Sequence, residues 1–280
     1  MLSLDLINSG AKILKRHNIK SHLLDAELLL SQILKKKRED LLISDNLKVQ
    51  NKDVKIFKNL VKRRIKNEPI SYILNKKDFW KYEFFVNKKT LIPRPETELL
   101  VEKIIKLYKY SQPLILDVGT GSGCIIISII KELHKARGIA IDISPKAIKI
   151  AKKNVKNLKI SNRIKLINKS IDQKFNKKFD LIVSNPPYIC SHDMKNLSKD
   201  IKDYEPKIAL DGGNDGLDVI KKVIYKACNI LKLNGILALE IGNGQYKKVS
   251  KILRKKRFRE KFLIKDYNNN IRCILSTLLR

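Results

Sequence analysis

The length, composition and charge of this chain limit what kind of protein it is. It has 280 residues, 43% of them hydrophobic, which is enough for one large domain or two unequal ones with real cores. The 60 Lys and Arg outnumber the 28 Asp and Glu and give a net charge of +32. This charge is typical of proteins that meet nucleic acid or a partner bound to it. The lysines are spread along the whole chain, however, which is also what the codon usage of a genome rich in A and T produces. Both interpretations stay open.

The cysteines and the apolar pattern argue against several classes of protein. Cys124, Cys190, Cys228 and Cys273 lie far apart, without a Cys-x-x-Cys motif or a pair of histidines. This spacing argues against a metal site and against a disulfide framework. Cys190 and His192 are interpreted as ordinary loop residues. Because the sequence shows neither a signal-peptide core nor a long apolar run, we expect a cytoplasmic protein without a membrane segment.

The first 95 residues are predicted to form two elements ahead of the main domain. In residues 1–74, apolar positions recur at helical spacing, which predicts a small helical bundle. It shows no catalytic residue type, and a role in binding the substrate is inferred for it. Glu68-Pro69 ends the helical pattern, and the aromatic stretch that follows predicts a β-hairpin linker over residues 75–95.

Residues 96–280 are predicted to form a doubly wound α/β domain of the Rossmann-like kind, with a seven-stranded sheet. Short apolar runs alternate with helical stretches, which we expect after each of the first four strands. The last two strands are predicted to form a closing antiparallel hairpin. The predicted strands are Leu114–Val118, Ile139–Asp142, Ile164–Ile167, Phe179–Ser184, Gly235–Ile241, Phe262–Asp266 and Arg272–Ser276.

A glycine-rich loop follows the first predicted strand. Asp117–Gly123 has the pattern Asp-x-Gly-x-Gly-x-Gly, in which glycines at every second position let the backbone turn sharply and approach a ligand. Dinucleotide folds use Gly-x-Gly-x-x-Gly instead. The pattern here is similar to that of methyltransferases, which implies S-adenosyl-L-methionine as the cofactor. Asp142, at the end of the second strand, is placed to accept hydrogen bonds from ribose hydroxyls, and Ser144 is free to cap the next helix.

The tetrapeptide Asn185-Pro186-Pro187-Tyr188 follows the fourth predicted strand, at the same edge of the sheet as the glycine loop. An amide or aromatic amine is a poor nucleophile because its lone pair is delocalised. Two acceptors, the Asn185 side-chain oxygen and the Pro186 carbonyl, would hold such an NH₂ in place, while Tyr188 offers a flat face. The tetrapeptide therefore predicts methylation of a planar nitrogen by positioning and electrostatics.

Other runs connect the chain with a known family. With them the sequence resembles, over nearly its whole length, the bacterial protein-(glutamine-N5) methyltransferases that modify peptide chain release factors. The most specific run is Ile92–Glu98, which reads Ile-Pro-Arg-Pro-Glu-Thr-Glu. The remaining runs are Glu68–Ile70, Glu205–Leu210, Asp211–Gly213, Gly216-Leu217 and Asp266-Tyr267 with Asn270 and Arg272.

The resemblance implies that the substrate is the glutamine of the Gly-Gly-Gln motif in class-1 release factors. It implies that the glutamine amide is held by Asn185, Pro186, Pro187 and Tyr188, of which Asn185, Pro186 and Tyr188 are the catalytic residues. A direct contact with nucleic acid is not implied, and we expect a monomer. The residues implied to bind the cofactor are Gly119, Thr120, Gly121, Ser122, Gly123, Asp142, Ile171 and Asn185.

Four positions carry open questions at the level of sequence. Ile171 stands where the family often has an aromatic residue close to the adenine, so apolar contact would replace stacking. Asn75 stands where a glycine is usual at the start of the hairpin. Arg94 and Glu98 are interpreted either as an ion pair that opens a helix or as residues that shape the substrate pocket.

Two other hypotheses remain. An adenine-N6 methyltransferase of DNA or RNA would use the same tetrapeptide, but it must extrude its base and usually carries a recognition domain. A non-catalytic binding protein that kept the fold is the second, and the presence of both Asp117–Gly123 and Asn185–Tyr188 argues against it.

Overall fold

The computed structural model describes residues 1–43 and 47–279, which divide into two compact units. The first unit comprises Met1–Asn75 and Ser198–Tyr204, and the second comprises Lys76–Leu197 and Glu205–Arg280. The helices in these described parts of the chain are α1 (Ser3–Arg16), α2 (His22–Leu34), α3 (Arg38–Ile43), α4 (Asn51–Ile65), α5 (Ile70–Leu74), α6 (Pro95–Tyr108), α7 (Cys124–Glu132), α8 (Pro145–Asn157), α9 (Lys199–Tyr204), α10 (Asp218–Ile230) and α11 (Tyr246–Lys255).

The first unit is helical around one apolar core, as the spacing of its apolar residues predicts. The core is formed by the apolar faces of α1, α2 and α4, including Leu14, Leu30 and Phe57. Gly10 lets α4 approach α1, because a Cβ at this position would lie 2.6 Å from the Phe57 ring. Arg64 and the buried Asp25 add an ion pair with 2.7 Å between Nε and Oδ2.

The hairpin consists of β1 (Lys76–Phe79) and β2 (Tyr82–Phe85), which pair antiparallel. Asn154 of α8 fixes it within the second unit, since its side chain accepts from Phe85 N at 2.8 Å and donates to Phe85 O at 3.0 Å. Asn75 ends α5 in the left-handed region, with φ 58°, and its Nδ2 donates to Tyr72 O at 2.9 Å. Asparagine tolerates this conformation, so the turn forms without the glycine usual in the family.

The second unit is built on the predicted seven-stranded sheet. Its strands are β3 (Leu114–Val118), β4 (Arg137–Asp142), β5 (Ile164–Asn168), β6 (Phe179–Ser184), β7 (Leu231–Glu240), β8 (Phe258–Lys265) and β9 (Ile271–Leu278). Their order in the sheet is β5-β4-β3-β6-β7-β9-β8. The first five strands in this order run parallel, and β9 pairs antiparallel with both β7 and β8. The doubly wound class and the closing hairpin are therefore confirmed.

The prediction of a helix after the third parallel strand is wrong. Residues 169–178, between β5 and β6, form turns, bends and irregular backbone. They contain only Ile171 and Phe175 as apolar residues among polar neighbours, which is too few to form the apolar face of a packed helix. The loop that takes its place brings Ile171 to the carboxyl edge of the sheet.

None of the helices in residues 1–43 and 47–279 combines the length and the apolarity that crossing a membrane requires.

Candidate active site

A cavity of about 540 Å³ opens at the carboxyl ends of the parallel strands, which is the edge where doubly wound sheets bind ligands. Its size is typical of a small-molecule site. The loops after β3, β4, β5 and β6 all contribute to its wall, together with residues 89–91 and 206–213. The predicted site residues in the wall are Gly119, Gly121, Asp142, Ile171, Asn185 and Pro187.

The glycine loop is held by hydrogen bonds to its own neighbours. Gly119 N and Thr120 N both donate to Ile141 O of β4, at 2.9 and 3.0 Å. Gly119 and Gly121 have positive φ, 73° and 55°, and a Cβ at either would meet no atom within 4 Å. The loop therefore presents bare backbone to open space, as a close-fitting ligand requires.

Asp117, at the end of β3, lies beneath this loop and is fully buried. Its Oδ2 accepts from Thr120 Oγ1 at 2.6 Å, whereas its Oδ1 has no hydrogen-bond partner among the described residues. Burial raises the pKa of Asp117 to about 7, against the opposing effect of the Thr120 hydrogen bond. Asp117 does not line the cavity, so its contact with Thr120 supports the shape of the loop.

Asp142 joins the loop after β4 to the glycine loop. Its Oδ2 accepts from Gly121 N at 2.9 Å, and its Oδ1 accepts from Ser144 N at 2.8 Å. Ser144, not Asp142, caps α8, because its hydroxyl accepts from Ala147 N. A carboxylate offers about four acceptor positions. Asp142 lies in the cavity wall and therefore keeps acceptor positions for a ligand in the cavity.

Three of the predicted cofactor residues lie outside the cavity wall. Thr120 is buried and directs its hydroxyl to Asp117. The Ser122 carbonyl accepts from Asn154 Nδ2 at 2.8 Å. Gly123 begins α7 with φ 84° where a Cβ would lie 2.8 Å from the Ile127 side chain. In the structure these residues shape the loop, and a direct contact with the cofactor stays a prediction.

The tetrapeptide after β6 has Asn185 and Pro187 in the cavity wall, but Pro186 and Tyr188 lie outside it. Asn185 Nδ2 donates to Thr97 Oγ1 at 3.2 Å. The Tyr188 hydroxyl accepts from Arg272 Nη2 at 3.0 Å, and the Tyr188 carbonyl accepts from Gln245 Nε2 at 2.9 Å.

Behind Asn185 lies a buried polar network that the sequence did not reveal. Thr97 Oγ1 donates to Glu240 Oε2 at 2.6 Å, and Arg272 Nη2 lies 3.8 Å from Glu240 Oε1. Glu240 has no exposed surface. Burial raises its pKa, while the Thr97 hydroxyl and the Arg272 guanidinium act in the opposite direction. A carboxylate directly after the apolar run Ile236–Leu239 was the available signal.

Two of the runs that carry the family resemblance, Ile92–Glu98 and Glu205–Leu210, are joined by hydrogen bonds. Ile92 N and Arg94 Nη2 donate to the two oxygens of Glu205, at 3.2 and 2.6 Å. The side chain of Glu205 is 1% exposed, so this pair is strongly held. The interpretation of Arg94 and Glu98 as an ion pair is wrong, because the guanidinium finds its carboxylate 111 residues along the chain.

The run Asp211–Gly213 lies beside the tetrapeptide loop. Gly212 N donates to Ile189 O at 2.8 Å, and Ile189 N donates to Leu210 O at 3.0 Å. A Cβ at Gly212 would lie 2.8 Å from the carbonyl oxygens of both Pro187 and Gly216. Only glycine permits this approach, so the run sets where the tetrapeptide loop lies.

Cys190, His192 and Asp193 lie close together at the end of this loop. Their potential ligand atoms are within 4.8 Å of one another, and His192 Nε2 is 3.2 Å from Asp193 Oδ1. His192 and Asp193 are exposed. Their interpretation as ordinary loop residues stays a prediction.

Two family models match the chain in the order that the structure shows. The "PrmC N-terminal domain" matches residues 5–74, and the "Methyltransferase small domain" matches residues 95–202. Among solved structures, a methyltransferase from Pyrococcus furiosus superposes with a TM-score of 0.55 at 17% identity, covering 79% of this chain and 99% of that one. This likeness concerns the fold. Fold and family models together define a class I S-adenosylmethionine-dependent methyltransferase.

Two relatives identify the family within this class of methyltransferases. The release factor glutamine methyltransferase of Clostridium acetobutylicum is 37% identical over 97% of both chains. The one from Fusobacterium nucleatum subsp. nucleatum is 40% identical over 98% of this chain and 78% of its own. The chain belongs to the release factor glutamine methyltransferase family.

The cavity fits the cofactor of this class on two observations. The bare backbone at Gly119 and Gly121 leaves room for a ligand in close contact with the loop. The Asp142 carboxylate in the cavity wall supplies acceptors for hydroxyl and ammonium groups. Both are features of a site for a polar, partly cationic nucleoside derivative such as S-adenosyl-L-methionine.

Proposed function

We propose that this protein methylates the side-chain amide nitrogen, N5, of the glutamine in the Gly-Gly-Gln motif of class-1 release factors. The observation that carries the proposal is that Asn185 and Pro187 share one cavity wall with Gly119, Gly121 and Asp142. A group held by the tetrapeptide therefore lies next to a ligand held by the glycine loop. Membership of the family supports glutamine as the group.

The reaction needs the amide to be positioned more than it needs a strong base. S-adenosyl-L-methionine supplies an electrophilic methyl group on its sulfonium. The Asn185 side-chain oxygen and the Pro186 carbonyl would accept hydrogen bonds from the two N–H groups of the glutamine amide, so that its lone pair faces the methyl. They would also stabilise the positive charge that develops on nitrogen. Pro187 in the wall and Tyr188 behind it would give the amide a flat, restricted site.

The residues proposed for the cofactor divide into two groups. Gly119, Gly121, Asp142, Ile171 and Asn185 line the cavity. Asp142 would accept from the ribose hydroxyls and Ile171, which is 6% exposed, would contact the adenine. Thr120, Ser122 and Gly123 would act mainly through the shape of the loop.

The proposal also covers the organisation of the chain. We propose that residues 1–74 bind the release factor, that residues 75–95 are the hairpin linker, and that residues 96–280 carry the chemistry. The protein would act as a monomer in the cytoplasm, where translation ends. Its charge of +32 would speed the encounter with any acidic partner.

A competition assay with a labelled methyl donor tests the proposal. The protein is offered an unmethylated release factor, the same factor with its Gly-Gly-Gln glutamine changed to alanine, and single- and double-stranded nucleic acid. Label on the unchanged factor alone is the expected result. Label on nucleic acid would instead support the adenine-N6 hypothesis. Label on none of them, with the cofactor bound, would support a binding protein.

A further inference from the structure

A buried carboxylate lies directly behind the residue proposed to hold the substrate amide. Strands β6 and β7 are parallel neighbours in which Ser184 pairs with Leu239. Asn185 and Glu240, the next residues on each strand, therefore meet at the carboxyl edge of the sheet. Thr97 of α6, which is 2% exposed, reaches this point from outside the sheet.

Hydrogen-bond directions in this cluster follow from the number of protons available. Thr97 Oγ1 lies 2.6 Å from Glu240 Oε2 and 3.2 Å from Asn185 Nδ2. A hydroxyl has one proton to donate. The Thr97 hydroxyl donates it to Glu240 Oε2, so Thr97 is left able only to accept. What it accepts must come from the NH₂ of Asn185, so the Asn185 carbonyl oxygen faces away from Thr97.

Arg272 of β9 supports this cluster from the other side, where its Nη2 lies 3.8 Å from Glu240 Oε1. Burial raises the pKa of Glu240, and Thr97, Arg272 and Asn185 oppose this shift. Arg272 also donates to the Tyr188 hydroxyl at 3.0 Å. One buried ion pair thus supports both ends of the tetrapeptide.

We propose that Thr97 and Glu240 are positioning residues, which orient the Asn185 side chain through the hydrogen-bond chain from Asn185 to Thr97 to Glu240. This inference rests on the proposed function of Asn185. A glutamine NH₂ has only donors on its nitrogen, so it needs the oxygen of Asn185. With the Asn185 amide rotated by a half-turn, two NH₂ groups would face each other and the substrate amide would not be held. The chain to Glu240 excludes that orientation.

The test compares three variants in kcat and KM. Thr97→Val keeps the shape of the side chain and removes its hydroxyl, whereas Thr97→Ser keeps the hydroxyl. Thr277→Val is the matched control, because Thr277 is a buried threonine of β9 whose hydroxyl has no partner among the described residues. We expect Thr97→Val to lower kcat about 100-fold, as misplacement of a catalytic group does. The KM for the release factor should change by less than about threefold.

The other two variants separate orientation from packing. We expect Thr97→Ser to restore kcat to within about threefold of the unchanged protein, since the hydrogen-bond chain is intact. Thr277→Val should leave kcat unchanged. The proposal is overturned if folded Thr97→Val keeps its kcat, or if Thr97→Ser loses as much as Thr97→Val. Should Thr97→Val not fold, Glu240→Gln decides, because its amide can donate to Thr97 and so removes the fixed direction. An unchanged kcat in Glu240→Gln would then sink the proposal.

A second measurement needs no substrate. In protein labelled with ¹⁵N-asparagine, the side-chain NH₂ signals of Asn185 are identified by their loss in Asn185→Asp. Their exchange with solvent should be slow in the unchanged protein and in Thr97→Ser, and fast in Thr97→Val. Equal exchange in all three would overturn the proposed orientation. If the unchanged protein failed to methylate a release factor, the proposed function would fall while this measurement still decided the orientation.

Discussion

The loop after β3 and the loop after β6 leave the same edge of one sheet, but the groups that hold them lie at different distances along the chain. In the glycine loop, Thr120 binds Asp117 three residues away and Gly121 binds Asp142 21 residues away. In the tetrapeptide loop, Asn185 binds Thr97 88 residues away and Tyr188 binds Arg272 84 residues away. The first loop is supported locally, and the second depends on α6, β7 and β9 being assembled around it.

This difference separates cofactor binding from catalysis. A local motif is able to form its site wherever the β3–α7–β4 unit folds. A loop held by distant side chains takes its final geometry only when the whole sheet is closed. We therefore expect changes near β3 to act on the affinity for cofactor, and changes near β6 to act on the rate.

Asn185→Ala would give the largest effect. Removing the side chain takes away one of the two proposed acceptors and the contact with Thr97, so kcat should fall about 1,000-fold, at the upper end for one preorganised group. Cofactor affinity, measured by calorimetric titration, should stay nearly unchanged because the glycine loop is held separately. Equal losses of transfer and of cofactor binding would break the distinction between the two loops.

Asp142→Ala is the complementary change in the glycine loop. The carboxylate holds Gly121 N and is proposed to accept from the ribose, so its loss should weaken cofactor binding about 10- to 100-fold. At saturating cofactor, kcat should remain within about threefold of the unchanged enzyme. A dissociation constant that did not move would contradict the ribose assignment.

A pair of glycine substitutions sharpens the comparison. Gly212→Ala would place a Cβ 2.8 Å from the Pro187 carbonyl oxygen and displace the tetrapeptide, so we expect kcat to fall about 10-fold. Gly121→Ala meets no atom within 4 Å, and its main cost is the left-handed φ of 55°, about 1–2 kcal/mol. Its effect should appear in the affinity for cofactor. Steady-state kinetics and calorimetry on both variants check this division, which an effect of Gly212→Ala on cofactor affinity alone would refute.

Asp117→Asn is expected to affect only the pH dependence of stability, measured on the protein without cofactor, and not the kinetics. Burial raises the pKa of Asp117 from 3.8 to about 7, so the folded state holds this proton more tightly than the unfolded state. Between these pH values the contribution of Asp117 to stability falls as pH rises. The asparagine variant lacks this dependence. The Tm of the unchanged protein should drop relative to the variant by on the order of 5 °C across that range. Parallel curves of Tm against pH would show that Asp117 does not titrate there.

Most of the fold follows from patterns that are local in the sequence. Short apolar runs located the seven strands of the main sheet, and helical spacing located the bundle, because each pattern lies within one element. The helix expected after β5 was wrong because alternation of strand and helix was extended to residues 169–178, which lack an apolar face. The sequence left two interpretations of Arg94 and Glu98 open, and the ion pair between them is wrong for a related reason. Closeness in sequence does not imply contact, and Arg94 pairs instead with the buried Glu205.

The sequence by itself determined the class of protein and predicted the cofactor loop and the reacting tetrapeptide, since these are short runs whose spacing carries the chemistry. It did not reveal Thr97, Glu240 and Gln245 as supports of that tetrapeptide. Only the register of β6, β7 and β9 brings Asn185, Glu240 and Arg272 together. The physical reason is that hydrogen bonds act over about 3 Å in space, and the sheet alone decides which distant residues come within that reach.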